Sequence, residues 1–348
     1  MSKSIPKGVK PIPLPDNVTP IPSGEPEEPL TPWVDAISMS VVGSSELKNI
    51  DIPKRPPLVG DWWKERDLGY ICAQRGAGKT HLAMMFARAI AGPTPNVGPW
   101  DCPGNVQVLY IDGEMPFDDI RSRDKAYLNT HDSSSVLYMN HEVVFQRSGR
   151  EMNIAKPDFQ SSILEFCKER KVRVIFFDNL SSLASGMDEN GANDWEQVKP
   201  WLLRFRRAGI SVVIVHHAGR SGKMRGTSKR EDDTFWIIEL EDEKDEATKG
   251  AKFRMRFSKN RNDKGESRSI SWHFQPTTDR DNDAACLPVY TILDPEDDFL
   301  ELVKNGVNRC KDIADSMGWK APRVSKLANK LKERDRIEIN DGKYRFLK

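Results

Sequence analysis

The chain has 348 residues, with 53 Lys and Arg against 52 Asp and Glu and a formal charge of +1, a balance that excludes a grossly basic coat protein and an acidic tail protein. At about 150 residues per domain the length predicts two domains, and 38% hydrophobic with 30% charged residues predicts a real core plus some unstructured length. No apolar run approaches the roughly 18 residues of a membrane span, the N-terminus MSKSIPKGVKPIP lacks the apolar stretch of a secretory signal, and Cys72, Cys102, Cys167, Cys286 and Cys310 form no C-x-x-C pair, so reduced thiols in the cytoplasm are expected.

Of the 23 prolines, nine fall in the first 32 residues. Proline locks φ and removes a backbone donor, which predicts an extended stretch over these residues, either a tether or a ligand for a partner, within a largely disordered tail over 1–57 in which order begins near Trp33. Apolar runs at 69–73, 106–112, 136–140, 172–178 and 210–216 then alternate with helical stretches at 80–91, 116–130, 158–171 and 194–208. Strands apolar throughout and separated by helices predict a parallel sheet covered on both faces. Runs at 235–241, 252–259 and 268–274 predict an antiparallel extension of its edge, closing an α/β domain over 58–276. The polar stretch 277–295 reads as a linker. In the final 296–348, helices are predicted at 297–304, 309–317 and 322–334, followed by strands 336–340 and 343–347 around Asp341-Gly342, a strong hairpin signal. Three helices and a hairpin make a small winged-helix domain.

The stretch Ala73-Gln-Arg-Gly-Ala-Gly-Lys-Thr80 follows an apolar strand and opens a helix, the context a phosphate-binding loop needs. Gly76 and Gly78 let backbone N–H groups turn inward around a phosphate, and the helix N-terminus favours an anion. Lys79 would neutralise the β- and γ-phosphates of ATP and Thr80 would ligate Mg²⁺. Arg75, Gly76, Ala77, Gly78, Lys79, Thr80 and His81 are the candidate nucleotide contacts. Ala73 stands where such loops usually have glycine, which costs on the order of 1 kcal/mol if that position needs φ > 0.

Asp178 ends the apolar run 172–178 and is the candidate Mg²⁺ acid. Glu114, just beyond the strand ending in Asp112, is the candidate that polarises an attacking water, with Asp112 a competitor. His216 and His217 are adjacent on a strand and point to opposite faces, so they cannot readily chelate one ion; a γ-phosphate sensor at His217 fits better. The loop 218–229 carries Arg220, Lys223 and Arg225 among glycines, cations for a DNA backbone or a neighbour's phosphate. Lys259 and Arg261 follow an edge strand and suit cations supplied in trans.

Together AQRGAGKT, VLYIDGEMP, VIFFDN, VVIVHHAGRSGKMRGTS and FSKNRNDKGE resemble the RecA-like ATPases, and most closely the RepA-type hexameric replicative helicases, over roughly residues 58–275. The resemblance implies a RecA-like fold, ATP and Mg²⁺ as cofactors, and a ring acting on single-stranded or forked DNA alongside other replication proteins. It matches Glu114 to the catalytic carboxylate, Asp178 to the metal acid, His217 to the sensor, and Arg225, Lys259 and Arg261 to trans-acting cations. The C-terminal domain is an addition to that pattern. Residues 321–348 hold nine Lys and Arg against four acids, a DNA-binding footprint in which Arg323, Lys326, Lys330, Lys343 and Arg345 are the candidate contacts. A protein-docking use of that module remains open. The same parts suit a loader or recombination ATPase that does not unwind DNA, or a DNA-binding regulator switched by ATP.

Overall fold

The computed structural model describes residues 32–92, 96–128, 136–186, 192–218, 232–263, 267–276, 286–317 and 319–347. The chain divides into two units, 1–55 and 56–348. In the first, α1 (Trp33–Ser40) and α2 (Ser44–Leu47) bury no side chain. Order is thus present from Trp33 as expected, and the largely disordered tail over 1–57 is corrected to helix over these two segments, while its proline-rich residues 1–31 lie outside the described residues. Between Pro32 and Pro53 there is no proline, so every backbone donor is available, and Glu46 accepts the Gly43 N–H at 2.9 Å to start α2.

The second unit opens with a short hairpin, β1 (Pro57–Val59) and β2 (Trp63–Lys64), then β3 (Leu68–Ala73) and α3 (Lys79–Ala91). A second short hairpin, β4 (Asn96–Val97) and β5 (Trp100–Asp101), leads to β6 (Val108–Asp112), α4 (Phe117–Leu128), β7 (Val136–Asn140), α5 (His141–Ser148) and α6 (Pro157–Glu169). There follow β8 (Val174–Asp178), α7 (Leu180–Leu183), α8 (Ala192–Arg207) and β9 (Ser211–His217). The edge is built from β10 (Trp236–Asp242), β11 (Ala251–Asn260), β12 (Ile270–Pro276) and β13 (Cys286–Ile292). Nine strands form one sheet in the order β13-β12-β11-β10-β3-β9-β8-β6-β7. From β10 to β7 all neighbours are parallel, and β11, β12 and β13 add antiparallel strands. The expected α/β sheet with an antiparallel extension is present. The expected linker is corrected: β13 lies inside it and pairs along β12 from Ile270↔Ile292 to Pro276↔Cys286.

Continuous apolar strands are explained by burial on both faces. Along β8, Val174 and Phe176 join the core beneath α3, while Ile175 and Phe177 join the core beneath α6 and α8. The α3 side holds an aromatic cluster in which the rings of Trp62 and Phe257 are 4.8 Å apart, as are those of Trp63 and Trp236. The cluster requires Gly69 in β3, since a Cβ there would lie 2.0 Å from the Trp236 ring.

The C-terminal elements are α9 (Pro295–Lys304), α10 (Cys310–Met317), α11 (Ala321–Glu333), β14 (Ile337–Asn340) and β15 (Lys343–Phe346). They enclose a core of their own that includes Phe299, Leu300, Ile313, Val324, Leu331 and Tyr344. Asn340 pairs with Lys343 around Asp341 and Gly342, whose φ values of 49° and 70° are the positive pair that a two-residue hairpin turn needs. Asp294 caps α9 by accepting the Glu296 N–H at 2.7 Å.

Candidate functional site

The carboxyl ends of β3, β9, β8 and β6 meet in register, with Ala73 beside His217 and Asp112 beside Asp178. Open α/β sheets bind ligands outside this edge. Here a cleft of about 530 Å³ is lined by Arg75, Lys79, Thr80, Glu114, Asp178 and His217, among others.

Ala73 carries none of the anticipated backbone cost, because it is the last residue of β3 and pairs with both His217 and Leu240. The left-handed backbone falls instead on Gly76 (φ 79°) and Gly78 (φ 95°). Gly78 is also sterically required, since a Cβ would stand 2.5 Å from the Phe253 ring. Lys79 is buried, and its Nζ donates to the carbonyls of Ala73 (3.1 Å) and Gln74 (2.9 Å). Burial lowers its pKa, while Asp178 and Glu114 act in the opposite direction.

The acids differ by environment. Asp178 is buried and accepts the Tyr110 hydroxyl at 2.6 Å and the Thr80 hydroxyl; burial raises its pKa. Asp112 accepts the backbone N–H groups of Glu114 (3.0 Å) and Met115 (2.7 Å), so it shapes the turn that presents Glu114. Burial, then the charge of Asp178, pushes the Asp112 carboxyl up to about 7. Glu114 is exposed in the cleft. Its Oε2 accepts from Asn179 Nδ2 and lies 3.8 Å from His217 Nε2. The sequence reading missed Asn179 and Tyr110. Asn179 stood in plain view directly after Asp178, whereas Tyr110 was hidden as one more strand residue.

Two further cations on the rim escaped the sequence reading: Arg123 on α4 and Lys244 beyond β10. Burial, with the charges of Arg123 and Lys244, pulls the His81 imidazole down to about 4. His81 is therefore a neutral ring near neutral pH.

Lys259 and Arg261 are not brought to this cleft. Asn260 pairs with Trp236, which pairs with Gly69 at the amino end of β3, about 13 Å along the strand from Ala73 at 3.3 Å per residue. Arg261 donates to the Asp232 carbonyl and lies 5.9 Å from the centre of the Phe235 ring. Arg220, Lys223 and Arg225 lie outside the described residues. In the C-terminal module, Arg323 stacks 3.8 Å over Trp319, Lys326 is exposed, and Lys343 and Arg345 are exposed on β15. Lys330 is exposed and its Nζ is 2.6 Å from Glu296 Oε1, which also holds Arg334. Sequence spacing alone did not reveal that α9 crosses α11 at this point.

A strand–loop–helix phosphate cradle, a strand-end acid beside it and a mixed sheet define a RecA-like P-loop NTPase core, the class of nucleotide-hydrolysing ATPase domains. A family model described as an AAA domain matches residues 38–223, just over half of the chain, and the chain belongs to that family. A solved KaiC-like protein, PH0186 from the hyperthermophilic archaeon Pyrococcus horikoshii OT3, is similar at 14% identity and a TM-score of 0.44 over 66% of this chain and 91% of its own. No curated protein matches. Among the described residues, no helix is long and apolar enough to cross a membrane.

Proposed function

We propose that the protein is a cytoplasmic, ATP-driven DNA translocase of the RepA helicase type, working as a ring of six in which each ATP is shared by two copies. The observation that carries this reading is the opposed placement of two cationic sets. Lys79 lines the cleft at the carboxyl edge of the sheet, whereas Lys259 and Arg261 lie at the amino edge. That separation puts Lys259 and Arg261 out of reach of their own chain's cleft and favours a neighbour's triphosphate as their target.

Within one cleft, the inward-turned N–H groups and Lys79 would bind the β- and γ-phosphates. The donor set suits a hard cation: the Thr80 hydroxyl already bonded to the Asp178 carboxylate would hold Mg²⁺, which supplies charge neutralisation on the phosphates. Glu114 would take a proton from the attacking water. Asn179 fixes the orientation of that carboxylate, and His217, 3.8 Å away, would register loss of the γ-phosphate. Winged-helix contacts through Arg323, Lys326, Lys343 and Arg345 would add salt-sensitive grip on DNA, and a replication-protein partner would deliver the ring to its fork.

A forked duplex with single-stranded arms tests the proposal directly. Unwinding that requires ATP and is lost in Lys79→Ala and Glu114→Gln proteins is the expected result, with Glu114→Gln reducing turnover by a factor on the order of 10² to 10⁴ while still binding nucleotide. DNA-stimulated hydrolysis without unwinding would replace the helicase with a loader or recombination ATPase. DNA binding with negligible turnover would leave only a switch.

A further inference from the structure

The connection between β10 and β11 returns over the phosphate loop. Lys244 Nζ in that connection donates to the Gly76 carbonyl at 2.8 Å, at the loop position where φ is 79°. When a phosphate loop turns its N–H groups inward, its carbonyls face outward. A cation bonded to such a carbonyl steadies the inward set of donors, and Lys244 also stands on the rim of the same cleft.

The aim of Lys244 is set by its neighbours. Its backbone N–H donates to Asp242 Oδ1 at 3.1 Å. The adjoining Glu243 accepts Arg254 Nε at 2.8 Å and the Ser271 hydroxyl at 2.6 Å. Arg254, buried on β11, directs its remaining nitrogens to α9, Nη1 to Asp298 Oδ1 at 2.6 Å and Nη2 to Glu301 Oε2 at 3.1 Å. The guanidinium is planar and its donors point in fixed directions, so anchoring two nitrogens on α9 orients the third toward Glu243.

We infer that Lys244 is a positioning residue for nucleotide phosphates, and that α9 of the C-terminal module aims it through Arg254 and Glu243. The inference rests on the nucleotide reading of the cleft and adds to it a dependence on a helix outside the sheet.

The test is a titration of the full chain with fluorescent ATP and ADP analogues, together with steady-state turnover. Lys244→Ala is expected to weaken both nucleotides about tenfold, equivalent to about 1.4 kcal/mol, and to raise KM with kcat changed by less than about twofold. Lys244→Arg should restore affinity, and Lys244→Gln, which keeps a donor but loses the charge, should fall between. Glu301→Gln, half-exposed and remote from the cleft, should weaken binding about threefold in the same direction. Wild-type affinity in Lys244→Ala, or a loss confined to kcat, overturns the role of Lys244. Unchanged affinity in Glu301→Gln overturns its control by α9. Lys79→Ala separates the layers: if that protein binds nucleotide as tightly as wild type, the nucleotide reading of the cleft itself fails.

Discussion

At the scale of single residues, carboxylates a few ångströms apart are given different work by burial. Asp178 is enclosed and hydroxyl-bonded, Glu114 faces the cleft, and Asp112 is committed to backbone N–H groups. The Asp112 pKa rises from the ordinary 3.8 to about 7, so the folded state holds its proton more tightly than the unfolded chain. Its contribution to stability is complete below the unfolded value and is lost as the pH rises through about 7. Without nucleotide or divalent cation, wild-type protein should therefore lose Tm relative to Asp112→Asn between about pH 5 and about pH 8. Parallel melting curves for the two proteins across that range would refute the buried titration. Little of this was readable in the chain. Asp112 and Glu114 were both evident as candidates near a strand end, but which one would be tied to the backbone depended on the turn at Gly113, whose N–H donates to the Asp178 carbonyl at 2.7 Å.

At the scale of elements, β3 works because β10 can pack hard against it. Gly69 admits the Trp236 ring, and the added Cβ of Gly69→Ala would overlap it at 2.0 Å. Trp236 is locked among Trp62 and Trp63 and has nowhere to retreat, so the substitution should destabilise the protein by about 3 kcal/mol or more. Chemical denaturation reads this directly, and an unchanged midpoint would show that the aromatic cluster can rearrange. The parallel strands and long helices were legible because burial on both faces writes an unbroken apolar run. Strand β13 was not: Pro288 interrupts its run, which demotes a strand pattern, and Val289, Tyr290 and Ile292 remain exposed on the sheet edge. Helix α5 has no buried residue and so leaves no apolar stripe to find.

At the scale of the whole molecule, the proposed ring makes a claim that no single copy can satisfy. Arg261→Ala supplies an intact Lys79 cleft and Lys79→Ala supplies an intact Arg261, so mixing the two inactive proteins should recover part of the ATPase activity. At equal ratio, random assembly pairs an intact cleft with an intact Arg261 at about one quarter of interfaces, which sets the scale of recovery for a closed ring with shared sites. No recovery at any mixing ratio would return every catalytic group to one chain. The same scale explains why the Glu296 partner of Lys330 was not visible in the sequence. The place of Lys330 on a cationic face of α11 follows from spacing of three and four, whereas its partner Glu296 sits 34 positions away and meets it only when α9 packs across.

Read as a linear string, the chain disclosed the phosphate loop, its strand and helix, the acid at Asp178, the alternation that makes a doubly covered sheet and the Asp-Gly turn of the final hairpin. Each of these is a short-range pattern, in which the chemistry and the local geometry are carried by neighbouring residues. Only folding decided that Asn179 holds Glu114, that Lys244 reaches Gly76 from 168 positions away, that Arg254 joins the sheet to α9, and that Lys259 and Arg261 stand at the opposite edge from their own cleft. Those relations depend on strand order and on the direction in which antiparallel strands return, which are properties of long-range packing rather than of any local stretch of sequence.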